Sequence, residues 1–393
     1  MAEFTLTDAE RRRSIIVVVA TVSIVAVTLG LTWPLLSLIL ESRGVGATMI
    51  GLSSASQTLA ILFIMPLAPS ILARFGTIGP IRVCIAVIIA ALMLLPATSN
   101  LYAWFPIRFF LGMAIEILLI ACDVWVNQVA EEKTRGRVIG IYGFVLTGGF
   151  AVGPMIINLT GIEGWAPFLA GAAIIGLGAL PLAWARGLTP PIEGRPKGRL
   201  LSYLRMAPTL MVAGLMYGLV DSSILSFLPI YGLGFGFDQA TVVTMLTVLI
   251  LGSVVSQLPL GWLADHVGGG QMIIGCTVFT LLPAVALPFV LDTPWLMWPV
   301  LAVWGGALGG FYTIAMVTIG RRFKGADLVA VNAAFVVFWG LGAITGPAVT
   351  GGAIEAWGLN AMPMVVAVCC LLYLPLAIIR LKSGPGSRNS STA

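Results

Sequence analysis

Arg11-Arg12-Arg13-Ser14-Ile15-Ile16-Val17-Val18-Val19-Ala20 opens a run that stays apolar to Leu40, and its reading decides the fold. A crossing of membrane hydrocarbon needs about 20 predominantly apolar residues. Residues 14–40 exceed that, and they exceed the about 7–15 residues of a signal-peptide core. The run is therefore read as an uncleaved first span, with the three arginines holding its start at a membrane surface.

Working outward, eleven similar runs follow. With the first they lie at 14–40, 47–71, 82–97, 101–125, 138–161, 165–186, 205–231, 239–263, 271–291, 295–320, 328–354 and 358–380. Composition agrees: 59% of the 393 residues are hydrophobic, only 9% are charged, and the mean hydropathy is +1.04. Soluble domains carry about 25% charged residues. An ordinary soluble enzyme, a nucleic-acid binder and a disordered scaffold are all excluded. Twelve crossings consume about 240 residues, which leaves no room for a separate soluble domain.

The basic residues test this assignment independently. Alternate loops hold Arg11 to Arg13; Arg74 and Arg82; Lys133, Arg135 and Arg137; the stretch from Arg186 to Arg205; Arg321, Arg322 and Lys324; and Arg380, Lys382 and Arg388. Only Arg43 and Arg108 fall elsewhere. Basic loops face the cytoplasm, so both termini are expected there, in a bacterial inner membrane. The net charge of +5 thus reflects topology rather than nucleic-acid binding.

Cys84, Cys122, Cys276, Cys369 and Cys370 all sit in apolar runs, without a C-x-x-C pair and with His266 as the sole histidine. Neither a disulfide framework nor a metal centre is expected, and no cofactor is called for.

The chain repeats itself. Pro69-x-Ile71-Leu72-Ala73-Arg74-x-Gly76 answers Gly261-x-Leu263-Ala264-Asp265-His266-x-Gly268, and Gly149-x-x-x-Gly153-Pro154 answers Gly342-x-x-x-Gly346-Pro347. Matched six-span halves imply a pseudo-twofold pair of bundles, a design suited to alternating access. The expected organisation is a six-helix bundle at 1–186, a cytoplasmic linker rich in proline at 187–204, a second bundle at 205–382 and a disordered tail at 383–393.

On these residues the chain resembles the major facilitator superfamily over essentially its whole length. Gly261 to Gly268 match the loop signature G-x-L-a-D-R-x-G, while the first copy is degenerate, with Pro69 for the opening glycine and Ala73 for the acid. Arg108-x-x-x-Gly112 resembles the fourth-span signature. Gly149 to Pro154 resemble the fifth-span signature of the antiporter branch, with Ile157-Asn158 replacing its terminal glycines. Arg135-Gly136-Arg137, Leu328 to Asn332 and Asp123 resemble the bacterial YcaD-like group. The resemblance implies an all-α fold of twelve helices, with the first, fourth, seventh and tenth lining a central cavity.

Ionisable side chains inside hydrocarbon cost at least about 2.5–3.5 kcal/mol each, so each needs a reason. They are Arg108, Glu116 and Asp123 in the fourth span and Asp221 in the seventh. Glu116 lies about 80° around the helix from Arg108, and Asp123 within about 20° of Glu116, so the three share one broad face. At 1.5 Å per residue, Arg108 is expected about 10 Å below the outer surface, with Glu116 about 12 Å deeper. Asp221, about 24 Å from the inner surface, falls near the depth of Arg108. Arg108 and Asp221 are expected to pair in one access state and part in another.

Glu116 is the first candidate proton carrier and Asp221 the second, because a carboxyl shielded from water is suited to binding and releasing a proton. Arg108, Glu116 and Asp221 are also candidate substrate contacts. Trp33, Tyr217, Trp304 and Tyr312 join them, since aromatic faces beside carboxylates suit organic cations or amphipathic compounds. Asp123 is expected to pair with Arg74 or another loop charge as part of an inner gate. Asp265 fits a charge latch, and Gly149, Gly153 and Pro154 are expected to shape packing between the halves.

The reading is a secondary active transporter of a small organic solute, with proton antiport favoured by the fifth-span signature. Proton-coupled uptake of a nutrient, metabolite or siderophore is the alternative. A non-transporting sensor or assembly factor is the rival from another class. No G-x-x-x-x-G-K-[ST] loop occurs, so an ATP-driven pump is not expected. The expected partners are the solute, protons and the bilayer, and the expected state is a monomer.

Overall fold

The computed structural model describes residues 6–131, 134–185, 188–189, 208–267, 269–323 and 325–382. Of the expected linker only residues 188–189 are among these, and the expected tail lies outside them. The described residues form twelve long helices. They are α1 (Asp8–Ser42), α2 (Ala47–Phe75), α3 (Ile78–Ala97), α4 (Leu101–Val129), α5 (Arg135–Thr160) and α6 (Ala166–Ala179), then α7 (Pro208–Gly234), α8 (Gln239–Val267), α9 (Gly269–Val290), α10 (Pro294–Arg322), α11 (Gly325–Trp357) and α12 (Ala361–Lys382). All are long and apolar enough to cross a membrane, α6 together with the turn that follows it. Their outward faces carry large apolar side chains such as Leu159, 86% exposed, and Phe289, 81% exposed. Surfaces of that kind require lipid around them.

Three boundaries differ from expectation for local reasons. The first helix begins at Asp8, before the arginines, because Thr7 and Glu10 form a reciprocal capping box at its start. The third begins at Ile78, since α2 ends in a tight turn at Gly76 (φ 71°). Arg82 is thus helical, and its guanidinium reaches back to the Leu182 carbonyl at 3.4 Å. The sixth gives way after Ala179 to a 3-10 turn over Leu180–Trp184, where Pro181 lacks the N–H that α-helix would need.

The chain divides into two compact units. Unit 1 comprises Met1–Val45, Leu52–Arg195 and Asp238–Thr247; unit 2 comprises Gly46–Gly51, Pro196–Phe237 and Val248–Ala393. The first turns of α2 therefore belong with unit 2 and those of α8 with unit 1. In unit 2 the Glu355 carboxylate, at the end of α11, accepts from the Thr48 N–H at 3.3 Å and from the Thr48 hydroxyl. It caps α2 from outside, because Gly46 at that helix's start has no side chain to do so.

Within unit 1, α1 is the central helix, with 67% of its most apolar stretch buried; α7 holds the same place in unit 2, with 72%. Each packs through glycine on another helix of its unit, α1 on α5 and α7 on α11. A Cβ on Gly153 of α5 would lie 2.0 Å from the Gly30 carbonyl carbon of α1, and one on Gly346 of α11 would lie 2.3 Å from the Leu219 oxygen of α7. Gly149 likewise meets Ala26 of α1. Gly149 and Gly153 were expected to shape packing between the halves. The structure gives them a seam inside unit 1, because only a residue without Cβ lets two backbones approach so closely. Pro154 lies in the same helix, beside this seam.

A second pair of seams repeats in the same way. A Cβ on Gly112 of α4 would fall 1.9 Å from the Gln57 oxygen of α2, and one on Gly305 of α10 would fall 1.7 Å from the Leu249 oxygen of α8. Gly305 follows Gly112 by 193 residues and Leu249 follows Gln57 by 192.

Candidate functional site

The ionisable residues expected inside the spans all lie in helices, and the two units divide them. Unit 1 holds Arg108, Glu116 and Asp123, all on α4; unit 2 holds Asp221 on α7. Sequence spacing alone put the α4 trio on one face, and the helix is continuous through them.

Arg108 is fully buried. Its Nη1 donates to Ser53 Oγ at 3.1 Å and its Nη2 to Ser54 Oγ at 3.3 Å, both on α2. Its Nε finds no acceptor among the described residues, and no described carboxylate of unit 1 forms an ion pair with it. One turn further along α2, Gln57 Nε2 makes a long 3.5 Å hydrogen bond to Thr32 Oγ1 of α1, and Gln57 Oε1 has no partner among the described residues. Ser53 and Ser54 were not foreseen. The signal was present: α2 carries adjacent serines about 9 Å from its start, the depth of Arg108 in α4.

Glu116 lies half-buried near the middle of α4, with no hydrogen bond or ion pair to a described residue. Asp123, on the exposed face seven residues on, is within its electrostatic reach. The Asp123 carboxylate accepts a 2.6 Å hydrogen bond from the Tyr142 hydroxyl of α5. Arg74, its expected partner, instead lies over the ring of its neighbour Phe75, 5.3 Å from the centroid. α5 thus brings the Tyr142 phenol to this carboxylate, and no ion pair between Asp123 and Arg74 is formed among the described residues. The other expected latch residue, Asp265, sits in α8 with its side chain outside the described ones.

In unit 2, Asp221 is half-buried on α7, one turn from Tyr217. Tyr217 is within electrostatic reach of both Asp221 and Tyr312 of α10. Tyr312 is 47% exposed and stacks obliquely on Phe335 of α11, with centroids 6.4 Å apart. Tyr217 thus lies near both the Asp221 carboxylate and Tyr312, which in turn rests on the buried Phe335. Trp304 and Trp33 differ: they are 0% and 4% exposed, packed inside units 2 and 1, and neither indole N–H finds an acceptor among the described residues. The five cysteines are free, four of them buried.

Comparison with known proteins now settles the family. The chain matches the Major Facilitator Superfamily over residues 18–307 and 210–393. It belongs to that superfamily. Among its relatives is the uncharacterized MFS-type transporter YfkF of Bacillus subtilis (strain 168), 23% identical over 389 residues, covering 96% of this chain and 98% of that one. The uncharacterized MFS-type transporter YcaD of Escherichia coli (strain K12 / DH10B) is 24% identical over 278 residues, covering 70% and 71%. Two solved structures share the fold. The nucleoside transporter NupG superposes with a TM-score of 0.73 at 16% identity, over 95% of this chain and 98% of that one. A bacterial homolog of the human lysosomal transporter Spinster, inward-facing and unoccupied, gives 0.72 at 13% identity, over 95% and 94%. This superfamily member is a multi-pass membrane transporter, and not an enzyme.

Proposed function

We propose that this transporter exchanges protons for a small amphipathic organic solute, exporting it from a bacterial cell across the inner membrane. The observation that carries the reading is Glu116: a carboxylate in mid-helix, half-buried, without a hydrogen-bond or ion-pair partner among the described residues. A structural carboxylate in hydrocarbon would be expected to hold such a partner. One kept free of them is available to a proton or to a cationic group of the solute, which then compete for it. That competition is the simplest exchange mechanism.

Asp221, beside Tyr217 and Tyr312, is the corresponding acceptor in unit 2, where aromatic faces suit the apolar and cationic parts of a solute. Asp123, tied to Tyr142, serves as a gating rather than a carrier group. Export is favoured by the Gly149 to Pro154 signature. Uptake would use the same carboxylates in the opposite sense, and NupG is a nucleoside transporter, so direction is decided by the assay.

The test uses everted vesicles with an imposed proton gradient and a pH-sensitive dye, screening organic cations, zwitterions, organic anions and nucleosides. Compound-dependent proton release in wild type, lost at least tenfold in Glu116→Gln but kept in the lipid-facing Leu159→Ala, is the expected result. Proton release that survives Glu116→Gln removes this residue from coupling. Solute accumulation driven by the gradient in the uptake sense overturns export.

A further inference from the structure

We infer that Arg108, framed by Ser53 and Ser54, receives a carboxylate group of the transported solute, so that the solute is amphoteric rather than a simple cation. The inference rests on the transport reading above and adds the anionic half of the recognition.

The argument begins with charge. A guanidinium stays ionised under all physiological conditions, and burying it unpaired costs several kcal/mol. Two serine hydroxyls accept hydrogen bonds but bring no negative charge, and the orphaned Gln57 Oε1 one turn away is neutral as well. The site has satisfied part of Arg108's donor capacity and none of its charge.

The second argument comes from the protein's own repeat. The α2·α4 crossing at Gly112 is matched by the α8·α10 crossing at Gly305, glycine for glycine. At the matching offsets Ser53, Ser54, Gln57 and Arg108 are replaced by Met245, Leu246, Leu249 and Leu301, all buried. Within unit 2 the crossing therefore holds apolar residues, Leu249 and Leu301, where unit 1 has Gln57 and Arg108. Its polarity in unit 1 is not required by the fold.

Geometry then selects the ligand. Ser53 and Ser54 each accept from one terminal nitrogen, and the buried Nε has no acceptor among the described residues. A planar carboxylate meets the Nε edge of the fork with two parallel N–H···O bonds, one from Nε and one from a terminal nitrogen. A cation is repelled here, and a neutral amide offers one acceptor without compensating charge.

The test measures thermal stability of the purified full chain in detergent, with four probes sharing one aromatic body: indole-3-propionate, its primary amide, tryptamine and tryptophan. The two carboxylates are expected to raise the melting temperature of wild type, the amide and amine much less. Arg108→Leu, which installs the residue of the matching position, should itself melt higher than wild type and lose the carboxylate response at least tenfold in midpoint concentration. Arg108→Lys should weaken it, keeping charge without the fork. Four results overturn the inference: no carboxylate effect at tens of millimolar, an amide as effective as its acid, a carboxylate effect intact in Arg108→Leu, or Arg108→Leu melting lower. The last, joined to an equal loss in Asp221→Asn and no further loss in the double variant, assigns Arg108 to a carboxylate of the protein itself. Glu116→Gln distinguishes the two readings. Carboxylate stabilisation without proton release by any compound leaves the subsite standing and sinks the coupling. Proton release by amines alone does the reverse.

Discussion

Unit 1 and unit 2 share their seams and differ in their charges. The Gly153 and Gly346 contacts recur at an offset of 193 residues, as do Gly112 and Gly305, and left-handed Gly44 and Gly236 (φ 72° and 88°) turn the matching loops 192 residues apart. Arg108 on α4 has no counterpart on α10, where Leu301 stands. Close backbone approach is a demand of the architecture and is met twice. The fully buried charge, Arg108, occurs once among the described residues, and the proposal above assigns it to the task.

The sharpest way to break this comparison is to move the charge. Leu301→Arg places a guanidinium in the apolar copy of the crossing, with no serines to accept from it. It should cost about 3–5 kcal/mol, read as loss of monodisperse protein in detergent and a steep fall in melting temperature. If Leu301→Arg is tolerated as well as Arg108 is, the α8·α10 crossing is not the apolar twin argued above.

The seams come next. Gly112→Ala and Gly305→Ala each bring a Cβ to within 2 Å of a carbonyl oxygen on the facing helix. Backbone on both sides cannot swing away as a side chain would, so each should cost about 1–3 kcal/mol. Near-equal losses in the two units, measured by thermal melts, would sharpen the equivalence. A loss confined to Gly112 would mean the glycine serves Arg108's site instead of the crossing.

These two predictions separate what the sequence made legible from what it did not. Twelve helices could be read from apolar runs because lipid imposes the same rule on every outward face. Glycine and proline landmarks exposed the repeat, and the rarity of charge picked out Arg108, Glu116, Asp123 and Asp221. Contact partners were another matter. Gly149 and Gly153 were assigned to packing between halves and lie against α1, since small residues announce closeness without naming a neighbour. Asp123 was expected to meet Arg74 or another loop charge and accepts from Tyr142, because proximity along α5 depends on helix rotation that hydropathy does not encode. Trp33 and Trp304 looked like the half-buried Tyr217 and the exposed Tyr312, although they are packed inside.

A satisfied polar pair offers the milder contrast. In the α7·α11 seam the Thr350 hydroxyl donates to Ser223 Oγ at 2.9 Å, both buried, while Ser223 donates in turn to the Leu219 carbonyl at 2.6 Å. The matching positions of the α1·α5 seam are Ile157 and Leu31, also buried. Thr350→Val keeps the shape and removes one donor, so it should cost about 0.5–1.5 kcal/mol and leave transport intact. A loss of transport without loss of stability would show that unit 2, too, has a polar feature kept for the task.

The smallest effects belong to the helix starts, where the repeat solves one problem in two ways. Asp238 precedes α8 and is its own cap; the Thr241 hydroxyl and nearby backbone N–H groups hold its carboxyl below the usual carboxylate range. Gly46 precedes α2 at the matching position, and Glu355 reaches over from α11 in its place. Glu355→Gln should cost about 0.3–1 kcal/mol and loosen a long-range contact, so its effect should extend to hydrogen exchange along α11. Asp238→Asn should loosen only the first turn of α8. The sign for Asp238 follows from its lowered value. Its contribution is complete above the unfolded carboxylate pKa and disappears as pH falls through the folded one, so wild type should lose α8 protection on acidification and Asp238→Asn should not. Equal spread of exchange in the two variants would mean that a local cap and a borrowed one hold the same amount of structure, and the asymmetry drawn here would fail.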